Sequence, residues 1–262
     1  MKNVNFVVLA AGKGTRMKSS VPKVLHKLAG RSMLRHVIDA TKTVGESKKV
    51  IVTGHGAEQV EEKFESSDTK FVRQEDQLGT AHAVSMATPE LCEDAIVVVL
   101  YGDVPLIRPV TLQRMLASVN KKSMGLLTIS LDDPDGYGRI VRSADGLIES
   151  IVEQKDATNE QRHICEINTG VMALTSLQLR NWLPQISNNN AQGEYYLTDI
   201  IAIARQNGIE VNSINPESVT EVEGVNSRLQ LSQLERAHQL ELAKQLMESG
   251  TTLADPARFD QR

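Results

Sequence analysis

Lys13, Arg16 and Lys23 stand around two glycines, Gly12 and Gly14, directly after a short apolar run, Val4–Ala11. Cations and glycines at this spacing suit polyphosphate chemistry. Glycine lets the backbone approach a ligand with no Cβ in the way, and its N–H groups can converge on phosphate oxygens. The apolar run reads as a buried parallel strand. A buried strand feeding a cationic, glycine-bearing loop points to a nucleotide-phosphate site. Two common phosphate loops fail on spacing. In the dinucleotide fingerprint G-x-G-x-x-G, Met17 takes the place of the third glycine. In the P-loop G-x-x-x-x-G-K-[ST], Val7 falls at the first glycine and Gly14 after the lysine. The bland alternative is a surface turn with chance glycines.

The elements that must position this loop follow from hydrophobic periodicity. Strand-like and helix-like segments alternate, which predicts an α/β fold with a mostly parallel sheet wrapped by helices. Strands are expected at Lys49–Thr53, Lys70–Arg73, Ala95–Tyr101, Met124–Leu131, Arg139–Arg142, Leu147–Glu153, Cys165–Leu174 and Glu210–Ile214. Helices are expected at Ser32–Thr43, Ala57–Phe64, Ala81–Ala87, Leu177–Trp182, Tyr195–Arg205 and Ser227 to about Glu248, the last capped by Ser227 or Asn226. Ala95–Tyr101 is the most apolar strand and the expected centre of the sheet. Ligands of open α/β sheets collect at the carboxyl ends of strands, so the loops after Ala11, Arg73 and Leu100 should share one crevice. Asp103 is then a carboxylate at the rim of a phosphate site, where magnesium is the natural guest; the alternative is a turn aspartate before a proline. Glu153 and Asn168 are polar groups on otherwise apolar strands. They need either internal partners or ligand hydroxyls.

Composition removes several classes of function. The 262 residues carry a net charge of −4, so there is no global basic field for nucleic acid. Aromatic residues are scarce, which argues against a base-stacking surface. Cys92 and Cys165 are far apart and are expected to be buried free thiols in a reducing, cytoplasmic setting. Phe6–Ala11 is too short for a signal peptide and ends in the glycine loop. No apolar run approaches the length of a membrane span. There is no internal repeat, and the tail Gly250–Arg262 shows no pattern.

Leu9 to Lys23 matches L-x-x-G-x-G-T-R-M-x4-P-K throughout, and so resembles the signature loop of nucleotidyltransferases that make nucleotide sugars. Six further motifs narrow the resemblance: Gln74–Ala83 (QEDQLGTAHA), Tyr101–Leu106 (YGDVPL), Gly136–Ile140 (GYGRI), Glu153–Ala157 (EQKDA), Glu166–Gly170 (EINTG) and Glu223–Arg228 (EGVNSR). Together they resemble the bacterial N-acetylglucosamine-1-phosphate uridyltransferases, the amino-terminal half of bifunctional GlmU, from about Val4 to the end.

The resemblance implies the nucleotide-diphospho-sugar transferase fold, Rossmann-like, with a long C-terminal helix. It implies a uridyltransferase domain over 1–226, a linker helix over 227–248, and a tail, 249–262, leading toward a left-handed β-helix acetyltransferase whose hexapeptide repeats this sequence lacks. It also implies magnesium-dependent conversion of UTP and N-acetylglucosamine 1-phosphate into UDP-N-acetylglucosamine and pyrophosphate, and a homotrimer in the full-length family. Residue by residue, Leu9, Ala10, Ala11 and Gly12 become the backbone cradle for the nucleotide, and Gln74, Gly79 and Thr80 the uracil readers. Arg16 and Lys23 become the phosphate-handling cations. Tyr101, Gly102, Asp103, Gly138, Glu153, Asn168 and Asn226 become the sugar and diphosphate contacts, with Asp103 and Asn226 the two protein ligands of magnesium. Two other readings stay open: a sister enzyme using another sugar phosphate or base, and a nucleotide-sugar sensor that binds without turnover.

Overall fold

The computed structural model describes residues 3–262. In the amino-terminal half the strands are β1 (Asn3–Ala10), the short hairpin pair β2 (Lys27–Leu28) and β3 (Arg31–Ser32), β4 (Ser47–Thr53), β5 (Thr69–Arg73) and β6 (Ala95–Tyr101). Helices α1 (Met33–Lys42), α2 (Ala57–Phe64) and α3 (Thr80–Ala87) connect them. There follow α4 (Pro109–Ala117), β7 (Ser123–Ser130), β8 (Arg139–Arg142), β9 (Ile148–Val152), α5 (Asn159–Arg162), β10 (Glu166–Thr175), α6 (Ser176–Trp182), α7 (Ile200–Gln206), β11 (Glu210–Ile214) and α8 (Arg228–Glu248). The main sheet runs β11-β7-β10-β6-β1-β4-β5, with β8 and β9 attached beside β10. Its pairings are parallel except those of β10 and of the β8–β9 ribbon. The sheet is therefore mixed and mostly parallel, and β6 lies at its centre as its apolar run requires.

Strand alternation sorts the core into two layers, since successive side chains leave opposite faces. Val7, Leu9, Val97 and Val99 pack with α3, α6 and α7 on one face. Phe6, Val8, Val98 and Leu100 pack with α1, α2 and α4 on the other. With both faces covered, β1 and β6 are apolar almost without break. A small third cluster of Leu28, Ala29, Met33, Val225 and Leu234 fastens α8 to the β2–β3 hairpin. Ser227 is the residue that caps α8, accepting from the Gln230 amide at 3.2 Å.

Three expectations need correction or completion. The helix expected over Tyr195–Arg205 starts late: Leu197–Asp199 is a single 3-10 turn, and α7 begins only at Ile200. The backbone of Tyr195 is engaged elsewhere. Its N–H donates to Leu78 O at 2.8 Å and its carbonyl accepts from the Ala81 amide at 2.9 Å. Cys92 is only partly buried and Cys165 is exposed, both unpaired, against the expectation of buried thiols. Cys165 sits just ahead of β10, before the strand enters the covered part of the sheet. Helix α4 was not expected, although Pro109 at its first turn is a start signal. No described helix is long and apolar enough to cross a membrane.

The link between Tyr195 and the 78–81 loop depends on Gly79. Its φ is +118°, and a Cβ there would lie 2.5 Å from Tyr195 O and 2.7 Å from Tyr195 N. Backbone on both sides leaves little room to yield. Gly79→Ala is expected to lower folding stability by about 1–3 kcal/mol, measured as a lower urea midpoint; an unchanged midpoint contradicts this account of the loop.

Candidate active site

The loops after β1, β5 and β6 do share one crevice. It is a pocket of about 230 Å³ whose lining includes Leu9, Ala10, Ala11 and Gly12 from the first loop, Gln74, Gly79 and Thr80 from the second, and Tyr101 and Asp103 from the third. Lys23 reaches the same pocket. The two glycines of the first loop do different things. A Cβ on Gly12 would meet nothing within 4 Å, so that backbone is open to a ligand. A Cβ on Gly14 would lie 2.8 Å from Lys23 Cβ, so Gly14 instead lets the stem of Lys23 come close. Larger concavities, of about 610, 560, 400 and 260 Å³, lie elsewhere. The first of these is at the amino ends of β1 and β4, and its buried cation, Lys49, is already paired with Asp68. Convergence of chemistry, rather than size, selects the smaller pocket.

At its rim the Lys23 ammonium donates to the Asp103 carboxylate and, at 3.0 Å, to Asn226 Oδ1. The Lys23 and Asp103 side chains are 13% and 15% exposed, so this contact is largely shielded from water. Backbone bonds fix the partners: Gly102 N–H donates to Leu9 O at 2.9 Å, and Val225 N–H donates to Asp103 O at 2.9 Å. Arg16 is not part of this group. It stands exposed on the Thr15–Met17 turn, and its side chain has no hydrogen-bond or ion-pair partner among the described residues.

Gly138, Glu153 and Asn168 form a second group. Asn168 N–H donates to Gly138 O at 2.8 Å, and Asn168 Oδ1 accepts from the Gly170 amide at 2.9 Å. A Cβ on Gly138 would lie 3.3 Å from Glu153 Oε1. Burial pushes the Glu153 carboxyl above the ordinary carboxylate range, against the pull of a 3.1 Å hydrogen bond from Thr198 Oγ1. Tyr101 joins the two groups electrostatically: burial raises its phenol strongly, and the charges of Glu153 and Asp103 add to the effect.

Gln77 and Glu194 also line the crevice but were not expected there. Gln77 belongs to the Gln74–Ala83 motif and donates to Gln74 O at 3.1 Å, so a signal existed. Glu194 lies in a loop without pattern and gave none. Gln74 donates to Gly79 O at 3.1 Å and lies 3.1 Å from His82 Nδ1, which orients its amide before any ligand arrives.

No group of three or more His, Cys, Asp or Glu side chains among the described residues is arranged to hold a metal. Asp103 and Asn226 nevertheless aim oxygens at one cationic point, the Lys23 ammonium. Two protein oxygens fit magnesium, which keeps water and phosphate oxygens for its remaining positions.

Such a sheet, with a glycine loop and a lysine at the carboxyl ends of its strands, is the architecture of a nucleotidyltransferase. Residues 6–166 match the MobA-like NTP transferase domain, and the chain belongs to that family. Two solved structures share the fold. One is a nucleotidyl transferase from Methanothermobacter thermautotroptrophicus, with TM-score 0.65 and 20% identity, covering 92% of this chain and 99% of that one. The other is assigned as a glucose-1-phosphate thymidylyltransferase from Bacillus anthracis, with TM-score 0.70 and 17% identity, covering 97% and 98%. Similarity at the sequence level is more specific. The bifunctional protein GlmU of Cellvibrio japonicus is 53% identical over 99% of this chain and 57% of its own length. GlmU of Pseudomonas putida is 54% identical over 99% and 57%. The resemblance drawn from the motifs is borne out, and the chain spans somewhat more than half the length of these relatives.

The raised Glu153 carboxyl gives a pH dependence with a definite sign. Between the ordinary carboxyl range and the raised value, the folded chain holds a proton that the unfolded chain has released. Stability from this group is therefore lost as pH rises through that window. Glu153→Gln keeps an oxygen to accept from Thr198 but cannot ionise. Its urea midpoint is expected to equal wild type near pH 4 and to exceed it at pH 7–8. A gap that is constant across pH, or that favours wild type at neutral pH, contradicts the assignment.

Proposed function

We propose that this chain transfers the uridylyl group of UTP to N-acetylglucosamine 1-phosphate, giving UDP-N-acetylglucosamine and pyrophosphate, as a step toward cell-wall precursors. The observation that carries the proposal is the meeting of Lys23, Asp103 and Asn226 beside the open backbone at Gly12. Similarity to GlmU over the whole chain supports the choice of substrates. On this reading Leu9–Gly12 presents backbone groups to the nucleotide. Gln74, Gly79 and Thr80 match the acceptors and the donor on the edge of uracil. Glu153, Asn168, Gly138 and Tyr101-Gly102 offer partners to the sugar hydroxyls and the acetamido group. Residues 1–226 form the catalytic unit, and α8 is the linker helix that follows it.

In the reaction an oxygen of the sugar phosphate attacks the α-phosphorus of UTP in line, and the bond to the β-phosphate oxygen breaks. A phosphate monoester is already anionic, so no strong general base is needed. Catalysis consists of positioning and charge neutralisation. Asp103 and Asn226 would hold magnesium, which supplies positive charge to the phosphate oxygens. Lys23, on a flexible four-carbon stem, offers its charge to the transferring phosphate from the same rim. Arg16 offers a bidentate fork from the exposed turn.

The test is pyrophosphate release from UTP and N-acetylglucosamine 1-phosphate, with and without magnesium. Glucose 1-phosphate, glucosamine 1-phosphate, CTP and dTTP serve as controls. Release that needs magnesium and is confined to the first pair is expected. Release with another pair would move the chain to a sister activity, and UDP-sugar binding without release from any pair would make it a sensor. Asp103→Asn and Lys23→Ala are each expected to lower turnover about 10²–10³-fold with a small change in urea midpoint. Normal turnover in either variant removes these residues from the chemistry.

A further inference from the structure

We propose that Arg228 is a positioning residue for the phosphate-handling turn, acting through Arg16. The inference rests on the role proposed for Arg16. Arg228 Nε donates to Met17 O at 3.0 Å, across 211 residues of sequence. Met17 closes the Thr15–Met17 turn that carries Arg16, and its side chain is fully buried. On both sides of that turn the backbone is left-handed, at Gly14 (φ +61°) and Lys18 (φ +48°). The turn is thus held from beneath by the Met17 side chain and at its carboxyl end by Arg228, while the Arg16 side chain stays free.

The origin of Arg228 makes the contact more than a local tie. Within the same four residues, Val225 N–H holds Asp103 O, Asn226 Oδ1 accepts from Lys23, and Ser227 caps α8. One helix start therefore engages the loop after β6, the lysine and the glycine-loop turn. Arg228 also lies beside His26, one turn beyond Lys23; burial first, and then the charge of Arg228, lower the pKa of that imidazole. Displacement of a positioned group by about 1 Å can cost up to about 100-fold in rate. Arg228 thus places Arg16 relative to Lys23 and Asp103.

Two substitutions separate the hydrogen bond from bulk. In Arg228→Gln the amide nitrogen falls at the same place along the side chain as Nε, so the donor is kept and the charge lost. Arg228→Met keeps the length without a donor. Arg228→Met is expected to lower kcat about 10–100-fold, with UTP binding within about threefold of wild type, and Arg228→Gln to recover most of the loss. In an Arg16→Ala background, Arg228→Met is expected to add little, because the group it positions is gone. Multiplying losses, or an Arg228→Gln as slow as Arg228→Met, would overturn the proposal; the second result would put the guanidinium on the substrate itself. Hydrogen exchange gives a readout independent of activity. The amides of Met17 and Lys18, bonded to Gly14 O at 2.9 Å and Thr15 O at 3.2 Å, should exchange faster in Arg228→Met than in Arg228→Gln. Equal protection in the two variants also overturns it, whereas a wild-type chain without pyrophosphate release tells against the reading of function and leaves the exchange test standing.

Discussion

The structure turns on one cation and the two oxygens that hold it. The Lys23 ammonium meets Asp103 and Asn226, 80 and 203 residues along the chain. Nothing local brings these three together. Asp103 is placed by β6, the central strand, and by the bond from Gly102 to Leu9. Lys23 is placed by Gly14, which removes the Cβ that would block its stem. Asn226 is placed by the start of α8, which the Leu28–Leu234 cluster docks on the hairpin. A largely shielded ion pair gains little net stability, because desolvation offsets attraction. Folding stability alone therefore does not account for its presence.

The parallel core was legible because burial on both faces writes itself as an unbroken apolar run. Ala57–Phe64, Ala95–Tyr101, Arg139–Arg142 and Glu210–Ile214 have the same bounds in sequence and structure. The place of the glycine loop was legible too: the residues after β1 line the crevice at the carboxyl ends of the strands, as the sheet rule requires. What periodicity could not show was backbone spent on distant partners. Tyr195 lies in a helix-like stretch, yet its N–H and carbonyl serve the 78–81 loop, so the helix waits until Ile200. Glu194 enters the crevice on the same detour, from a loop with no pattern of its own. Cys165 failed for another reason: residue type favours burial, but position at a strand entrance decided otherwise.

The two polar groups meet at one end of the sheet because its reversed strand, β10, starts where its neighbour β6 ends. Residues 9–12, 74–80 and 101–103 come from parallel neighbours and collect at one sheet end, as the fold dictates. Asn168 comes from β10, which runs the other way, so the start of that strand lies at the carboxyl end of β6: Met172 pairs with Val99, and a Cβ on Gly170 would lie 2.5 Å from the Tyr101 ring. Gly138 and Glu153 flank the β8–β9 ribbon. On the proposed reading the nucleotide contacts lie at the carboxyl ends of the core strands, and the sugar contacts are shared between Tyr101-Gly102 there, Asn168 on β10 and the two residues beside the ribbon.

Charge at the crevice sets a last constraint. The charged residues lining it are Lys23, Asp103 and Glu194: one cation against two carboxylates. Lys23 is already engaged by Asp103. Within that lining alone, a nucleoside triphosphate would meet more carboxylate than free cation. The glycine loop can offer N–H groups to phosphate oxygens, but dipoles alone leave the excess negative charge in place. Positive charge must arrive with the ligand or swing in over it. On the proposed reading the first route would be a divalent cation brought by the phosphates, which Asp103 and Asn226 would hold. The second would be the exposed Arg16, which has no side-chain partner among the described residues and whose turn is held without holding its guanidinium. On that reading, a site that starts short of cations and acquires them with its substrate would favour the loaded complex over a bare phosphate chain.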